Sequence, residues 1–269
     1  MCSAVLFKFA GSHQLRNACS MSSFADYFSG AAVRYASHRP HYPPALIDWL
    51  AEVTPGKAVA WDCGTGNGQA AVELVRHFDL VVASDPSEAQ LRYAVREPKV
   101  AYAAMTAECA ALSTDSVNLV TVAQALHWFD LSRFYTEVNR VLRDDGIIAV
   151  WMYGLLSVDS AIDQRIAHFN RDVVGKYWPK ERALVELGYG GIDFPFAEMP
   201  APPVVMEAHW TLGQVGAYLE TWSAVTRYKV AEGGNPVGRF ITSISRLWGD
   251  ADTARRVTWP LQMRVGRKR

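Results

Sequence analysis

The sequence predicts an α/β fold, a doubly wound sheet that is mostly parallel, with an antiparallel C-terminal edge strand and a mainly helical cap insertion. Three observations predict it. Short apolar runs alternate with helical patterns across residues 57–153, which implies right-handed βαβ crossovers and a parallel sheet. A glycine-rich turn joins the first of these runs to the helix pattern after it. Residues 256–267 alternate apolar and polar side chains, the pattern of an antiparallel strand with one face on the core.

The elements follow in order. Arg39-Pro40-His41-Tyr42-Pro43 is an extended lead, because proline restrains the residue before it, and it feeds a helix over 44–53 with proline at its first position. The apolar stretch 59–63 is a strand, and 69–75 is an amphipathic helix. A second strand ends at Asp85. Asp85-Pro86-Ser87 then suits the cap of a helix over 86–96. A short third strand begins at Val100, and a buried fourth runs to about Ala123. Residues 131–142 carry helical spacing and stop at Arg143-Asp144-Asp145-Gly146. Ile-Ile-Ala-Val-Trp-Met at 147–152 is a fifth strand. Beyond Tyr153 the pattern predicts helices over 160–174, 212–226 and 235–248, a strand over 204–210, and an irregular stretch rich in glycine and proline at 188–203. Residues 1–23 read as a disordered leader, and 24–269 as a single domain with its cap insertion at about 155–203.

The turn between the first strand and its helix is Asp62-Cys63-Gly64-Thr65-Gly66-Asn67-Gly68. Glycine lets backbone N–H groups approach a ligand with no Cβ in the way, and the helix opening adds unpaired N–H groups and a positive dipole end. No lysine follows as a P-loop requires, and the third glycine comes one residue early for a dinucleotide fingerprint. An acid before Gly-x-Gly-x-Gly resembles motif I of the class I S-adenosylmethionine-dependent methyltransferases, which implies a Rossmann-like fold and that cofactor, released as S-adenosylhomocysteine. Asp62, Gly64 and Gly66 are then expected at the amino acid tail. Asp85, seventeen residues past Gly68, stands where a carboxylate accepts from both ribose hydroxyls, a role compatible with capping. The resemblance puts Ala107 and Glu108 along the adenine edge and Gln124 near the sulfonium. Glu108 reads equally well as a loop carboxylate or as the cap of a neighbouring helix.

Ala123-Gln124-Ala125-Leu126-His127-Trp128-Phe129-Asp130 ends the fourth strand, where open α/β sheets bind ligands. Together with Tyr35-Ala36-Ser37-His38-Arg39-Pro40, Trp222-Ser223-Ala224-Val225 and the ending from Trp259, it resembles the type-11-like subgroup that contains trans-aconitate methyltransferase. That resemblance implies transfer of a methyl group to a small molecule, with a carboxylate as one acceptor. His127, Trp128 and Tyr153 are the candidate catalytic residues: His127 lines the pocket and is the candidate base for a hydroxyl or nitrogen acceptor, and the two rings supply an aromatic wall for a sulfonium. Each ring also reads as core packing, and packing is the first reading for Trp222. Arg39, ahead of Tyr27 and Tyr35, is the candidate for the cofactor's carboxylate. Arg171, Lys176, Lys180 and Arg227 are candidate anchors for an acidic substrate, or ordinary surface charges.

Lysine and arginine balance aspartate and glutamate at 27 each, so nothing argues for a nucleic-acid groove. The 4 cysteines form no Cys-x-x-Cys pair or metal pattern, so no metal is expected and a reducing, cytoplasmic setting is the default. No run approaches the roughly 20 apolar residues of a membrane span. The expected partner is a small-molecule substrate, with no nucleic acid and no membrane, for a monomer or homodimer. Two alternatives stay open: a non-catalytic protein that binds S-adenosylmethionine, and a nicotinamide-dependent oxidoreductase sharing the opening βαβ unit.

Overall fold

Apolar stretches on alternate sides of the glycine turn become the centre of one sheet. In the computed structural model, which describes residues 39–269, β1 (Val59–Cys63), β2 (Leu80–Asp85), β3 (Val100–Ala104), β4 (Val117–Ala123) and β5 (Leu142–Tyr153) run parallel. Their order is β3-β2-β1-β4-β5, so the direction of winding reverses between β1 and β4. Ligands of open α/β sheets bind outside the carboxyl ends at such a switch point. The expected leader, Tyr27, Tyr35, Cys2 and Cys19 lie outside the described residues.

The sheet is buried on both faces, as its continuous apolar strands require. Neighbouring residues point to opposite layers. Ala60, Leu119, Ile147 and Ala149 pack with Leu46, Ile47 and Leu50 of α1 (Pro44–Val53). Trp61, Val120, Ile148 and Val150 pack with Phe134, Val138 and Val141 of α4 (Leu131–Val141). Two further helices connect the first strands: α2 (Gln69–Leu74) and α3 (Glu88–Arg92). The latter is shorter than the expected 86–96. Ser87 caps it, accepting from the Gln90 N–H at 3.3 Å, because the Asp85 carboxylate is committed to other N–H groups. Tyr93 ends it by turning its own N–H back to Gln90.

Past Tyr153 come α5 (Ser160–His168), a π turn at Phe169–Val173, α6 (Arg182–Glu186), β6 (Ala197–Met199) and β7 (Val205–Trp210). Then α7 (Leu212–Glu220), α8 (Ser223–Glu232), α9 (Pro236–Trp248) and β8 (Arg255–Arg267) complete the chain. Two expectations are refined. The single helix over 212–226 is divided at Trp222, whose backbone is extended with ψ 131°. The C-terminal strand is antiparallel to β5 as expected, but it is internal to the sheet. β8 is 13 residues long, so while one edge pairs with β5, its length leaves room for β6 and β7 to pair with it too. The strand β6 arises inside the stretch expected to be irregular. Among the described residues, no helix is long and apolar enough to cross a membrane.

Candidate active site

The glycine turn is held from beneath and from the side by two carboxylates. Asp62, at the end of β1, is buried. It accepts from the Thr65 hydroxyl at 2.5 Å and from the Thr121 hydroxyl at 2.7 Å, tying the turn to β4. Burial pushes its carboxyl up to about 6, against the pull of both hydroxyls. Asp85, at the end of β2, accepts from the Gly66 N–H and from the Ser87 N–H, each at 2.9 Å.

Two glycines of the turn differ in what surrounds them. Gly64 has φ +70°, and a Cβ there would stand 2.6 Å from the Ala125 Cβ. Gly66 has φ +57°, and a Cβ there would meet no described atom within 4 Å. Gly64 is therefore required by close packing on the end of β4, whereas Gly66 faces open space beside the Asp85 carboxylate. That pairing of an open, left-handed backbone with a half-buried acid fits the polar parts of a nucleoside ligand. Ala107 is buried among apolar side chains. The Glu108 carboxylate accepts from the Asp130 N–H at 2.9 Å, the capping alternative for this residue, because Asp130 opens α4.

Beyond β4 the chain makes an abrupt turn. Gln124 has φ +58°. Its backbone N–H donates to the Trp151 carbonyl at 2.9 Å and its side-chain amide donates to the Tyr153 carbonyl at 3.0 Å. These bonds hold the ends of β4 and β5 together beside an open cavity. Five of the expected residues, Arg39, Gln124, His127, Trp128 and Tyr153, line it. Trp222, for which packing was the first reading, is buried in the core and also reaches the cavity wall. Ala125, which abuts Gly64, adjoins Gln124, so the turn and the cavity are contiguous.

The cavity also holds residues that sequence reasoning missed: Trp178, Arg182 and Tyr218. The Arg182 guanidinium lies 4.2 Å from the centre of the Trp178 ring. Its buried Nε has no hydrogen-bond partner among the described residues. Burial lowers its pKa, helped by the charge of Arg39. Arg39 donates to the Tyr153 hydroxyl at 2.9 Å and sits 5.4 Å from the Tyr218 ring centre. Arg39, expected at the cofactor's carboxylate, thus stands on the cavity wall. The signal for Arg182 was slight, one basic residue beside a tryptophan and proline in a short helix of the insertion.

The four cations proposed from sequence as acid anchors do not line the cavity. Arg171 pairs with Asp172 at 2.8 Å and Lys176 with Glu232 at 2.9 Å. Arg227 donates to the Tyr177 carbonyl at 3.5 Å, and Lys180 is exposed. His127 does not fit the role of base. Its Nδ1 lies 3.0 Å from the Tyr189 hydroxyl, and burial, then the Arg182 charge, push its pKa down to about 3. Trp128 packs against it with ring centres 4.7 Å apart. Among the described residues, no group of His, Cys, Asp and Glu is placed to hold a metal ion.

Comparison with known proteins agrees with this arrangement. A methyltransferase domain family matches residues 61–150, which run from the glycine turn through β5. A methyltransferase of Dictyostelium discoideum is 30% identical over 211 residues, covering 77% of this chain and 80% of that protein. An S-adenosylmethionine-dependent methyltransferase of Saccharomyces cerevisiae is 28% identical over 173 residues, 60% of each chain. The solved structure of a type II methyltransferase from Anaeromyxobacter dehalogenans shares 43% identity with a TM-score of 0.81, covering 86% of this chain and 98% of that one. With the glycine turn, the switch-point crevice and these relatives in agreement, the chain belongs to the class I S-adenosylmethionine-dependent methyltransferases.

Proposed function

We propose that the enzyme transfers the methyl group of S-adenosylmethionine to a carboxylate of a small molecule bound in the cavity between β4, β5 and α6. The observation that carries this reading is the composition of the cavity. Two arginines, Arg39 and Arg182, share an aromatic-walled space that, among the described residues, no aspartate or glutamate lines. An anion would pair with the Arg182 guanidinium.

In this reading Gly64, Gly66 and Asp85 hold the cofactor's tail and ribose, with Ala107 and Glu108 toward the adenine and Gln124 toward the sulfonium. Asp62 acts through Thr65 and Thr121, keeping the turn in shape. Arg39 moves to the acceptor side. The segment 155–203 serves as the cap, since it supplies Trp178 and Arg182.

The cofactor supplies a methyl group already activated on a sulfonium. The chain's residues position the nucleophile and exclude water. A carboxylate oxygen would donate a lone pair to the methyl carbon in line as the methyl–sulfur bond broke, its electron pair staying on sulfur. No proton moves, so no base is required. That suits a cavity whose histidine is a very weak base.

The test is turnover with a panel of small carboxylic acids, following S-adenosylhomocysteine and the product together. A product that releases methanol under mild alkali is the expected ester. An alkali-stable product would identify a hydroxyl or nitrogen acceptor. Saturable cofactor binding without turnover on any acid would favour the non-catalytic alternative.

A further inference from the structure

The cavity brings two guanidinium groups together with the ring of His127, whose Nδ1 faces a tyrosine hydroxyl. The Tyr189 hydroxyl lies 3.0 Å from the His127 Nδ1. A hydroxyl that donates there leaves Nδ1 as the acceptor. A neutral imidazole that accepts at Nδ1 carries its hydrogen at Nε2, on the side of the ring turned from Tyr189. Tyr189 is held for this: it is 1% exposed, sits at φ +60°, and its carbonyl accepts from Arg264 at 3.2 Å.

Resting on the carboxylate reading above, we infer that Arg182, with Arg39 and the Nε2–H of His127, binds the acceptor's carboxylate as the anion and makes the site selective for it. His127 is thus a hydrogen-bond donor to the substrate. Arg182 is the main determinant. Its guanidinium is stacked on Trp178 and forms no ion pair with a described residue, so its fork remains available to a planar carboxylate. The two guanidinium groups discriminate: an uncharged amide offers them no negative charge and brings N–H hydrogens toward groups that cannot accept them. The aromatic walls of Trp178 and Tyr218 favour a flat or apolar body behind the carboxylate.

The experiment is calorimetric titration of the full chain, saturated with S-adenosylhomocysteine, using benzoate, benzamide and phenyl phosphate as probes. Benzoate is expected to bind at least tenfold more tightly than benzamide and more tightly than phenyl phosphate. Arg182→Gln should weaken benzoate at least tenfold while leaving the affinity for S-adenosylhomocysteine unchanged, and Arg182→Lys should recover part of the loss. His127→Gln, which keeps an N–H near the Nε2 position, should bind benzoate more tightly than His127→Ala. Equal binding of benzoate and benzamide, no binding of benzoate, or indifference to Arg182→Gln would overturn the proposal. Tighter phenyl phosphate would overturn the carboxylate in favour of a phosphate. Should S-adenosylhomocysteine fail to bind while benzoate still does, methyl transfer fails as the function and the anion site stands.

Discussion

The two halves of the proposed site, one for the cofactor and one for the acceptor, are built on different principles. The cofactor half is made of consecutive residues: a strand end, a left-handed glycine turn and a helix start, with one acid from the next strand. Its polar groups are mainly backbone N–H groups; the Asp85 carboxylate is tied to two of them, and that of Asp62 to two threonine hydroxyls. The acceptor half is assembled from side chains that the sequence holds far apart. Arg39 reaches Tyr153 across 114 positions, and His127 reaches Tyr189 across 62. A motif can encode the first half because backbone geometry is local. The second exists only once β4, β5 and the 155–203 segment are packed.

The largest expected effect comes from the acid that joins the cofactor half together. Asp85→Ala removes two charge-assisted bonds, to Gly66 and Ser87, and the acceptor proposed for the ribose hydroxyls. Two such bonds at about 1.5–3 kcal/mol each amount to at least roughly a hundredfold in affinity. Calorimetry with S-adenosylmethionine checks this. Wild-type affinity would remove Asp85 from the cofactor and leave it as a brace for the turn.

The paired glycines sharpen the point within the same half. Gly64→Ala forces a Cβ to 2.6 Å from Ala125 and strains a left-handed residue, about 1–3 kcal/mol of stability for the overpacking alone. Gly66→Ala meets nothing described within 4 Å, so its stability cost is the left-handed strain of about 1 kcal/mol. Both should weaken the cofactor, but thermal unfolding should separate them, with Gly64→Ala melting lower. Equal melting temperatures would mean that Ala125 yields, and that the two halves are not packed as one unit.

His127 offers a comparable test of the acceptor half through pH. Its pKa falls from 6.5 in the unfolded chain to about 3 in the fold, because burial and the charge of Arg182 disfavour the imidazolium. Below 6.5 the unfolded chain binds the extra proton, so this contribution to stability is present above 6.5 and is lost as pH falls toward 3. At pH 5 the loss is about 2 kcal/mol. His127→Gln should therefore flatten the acid limb of stability against pH between 6.5 and 3. Tyr153, Tyr189, Arg39 and Arg182 also face this region. An unchanged acid limb would mean that the ring opens to solvent before the chain unfolds.

Legibility in the sequence follows the same division. The parallel sheet could be anticipated because apolar runs alternate with helices, and Asp62, Gly64, Gly66 and Asp85 lie at the strand ends and the turn where the motif put them. Glu108 was ambiguous, and the competing N–H of Asp130 became visible only with α4 in position. The start of α3 was misplaced because Asp85 spends its carboxylate on the Gly66 and Ser87 N–H groups and leaves the capping to Ser87. Arg182 was missed for the plainest reason. In sequence it is one of several basic residues in the insertion, and only burial against Trp178 separates it from Lys180, two positions earlier.

That last distinction gives the smallest and most discriminating prediction. Lys180 is exposed, Lys176 is spent on Glu232, and Arg171 on Asp172. Exposed pairs of this kind contribute little to stability and are weakened further by salt. Neutral substitutions at Arg171, Lys176 and Lys180 should therefore leave turnover, KM for the acid and the melting temperature within error of the wild type. Arg182→Gln, with the same change of charge a few residues away, should raise KM for the acid. If all four variants raised KM together, the cap would be attracting an anion by its general positive potential, and the effect should then fade with added salt. If Arg182→Gln alone does so and the effect resists salt, recognition lies in the buried guanidinium and its geometry, which is the difference between a charged surface and a built site.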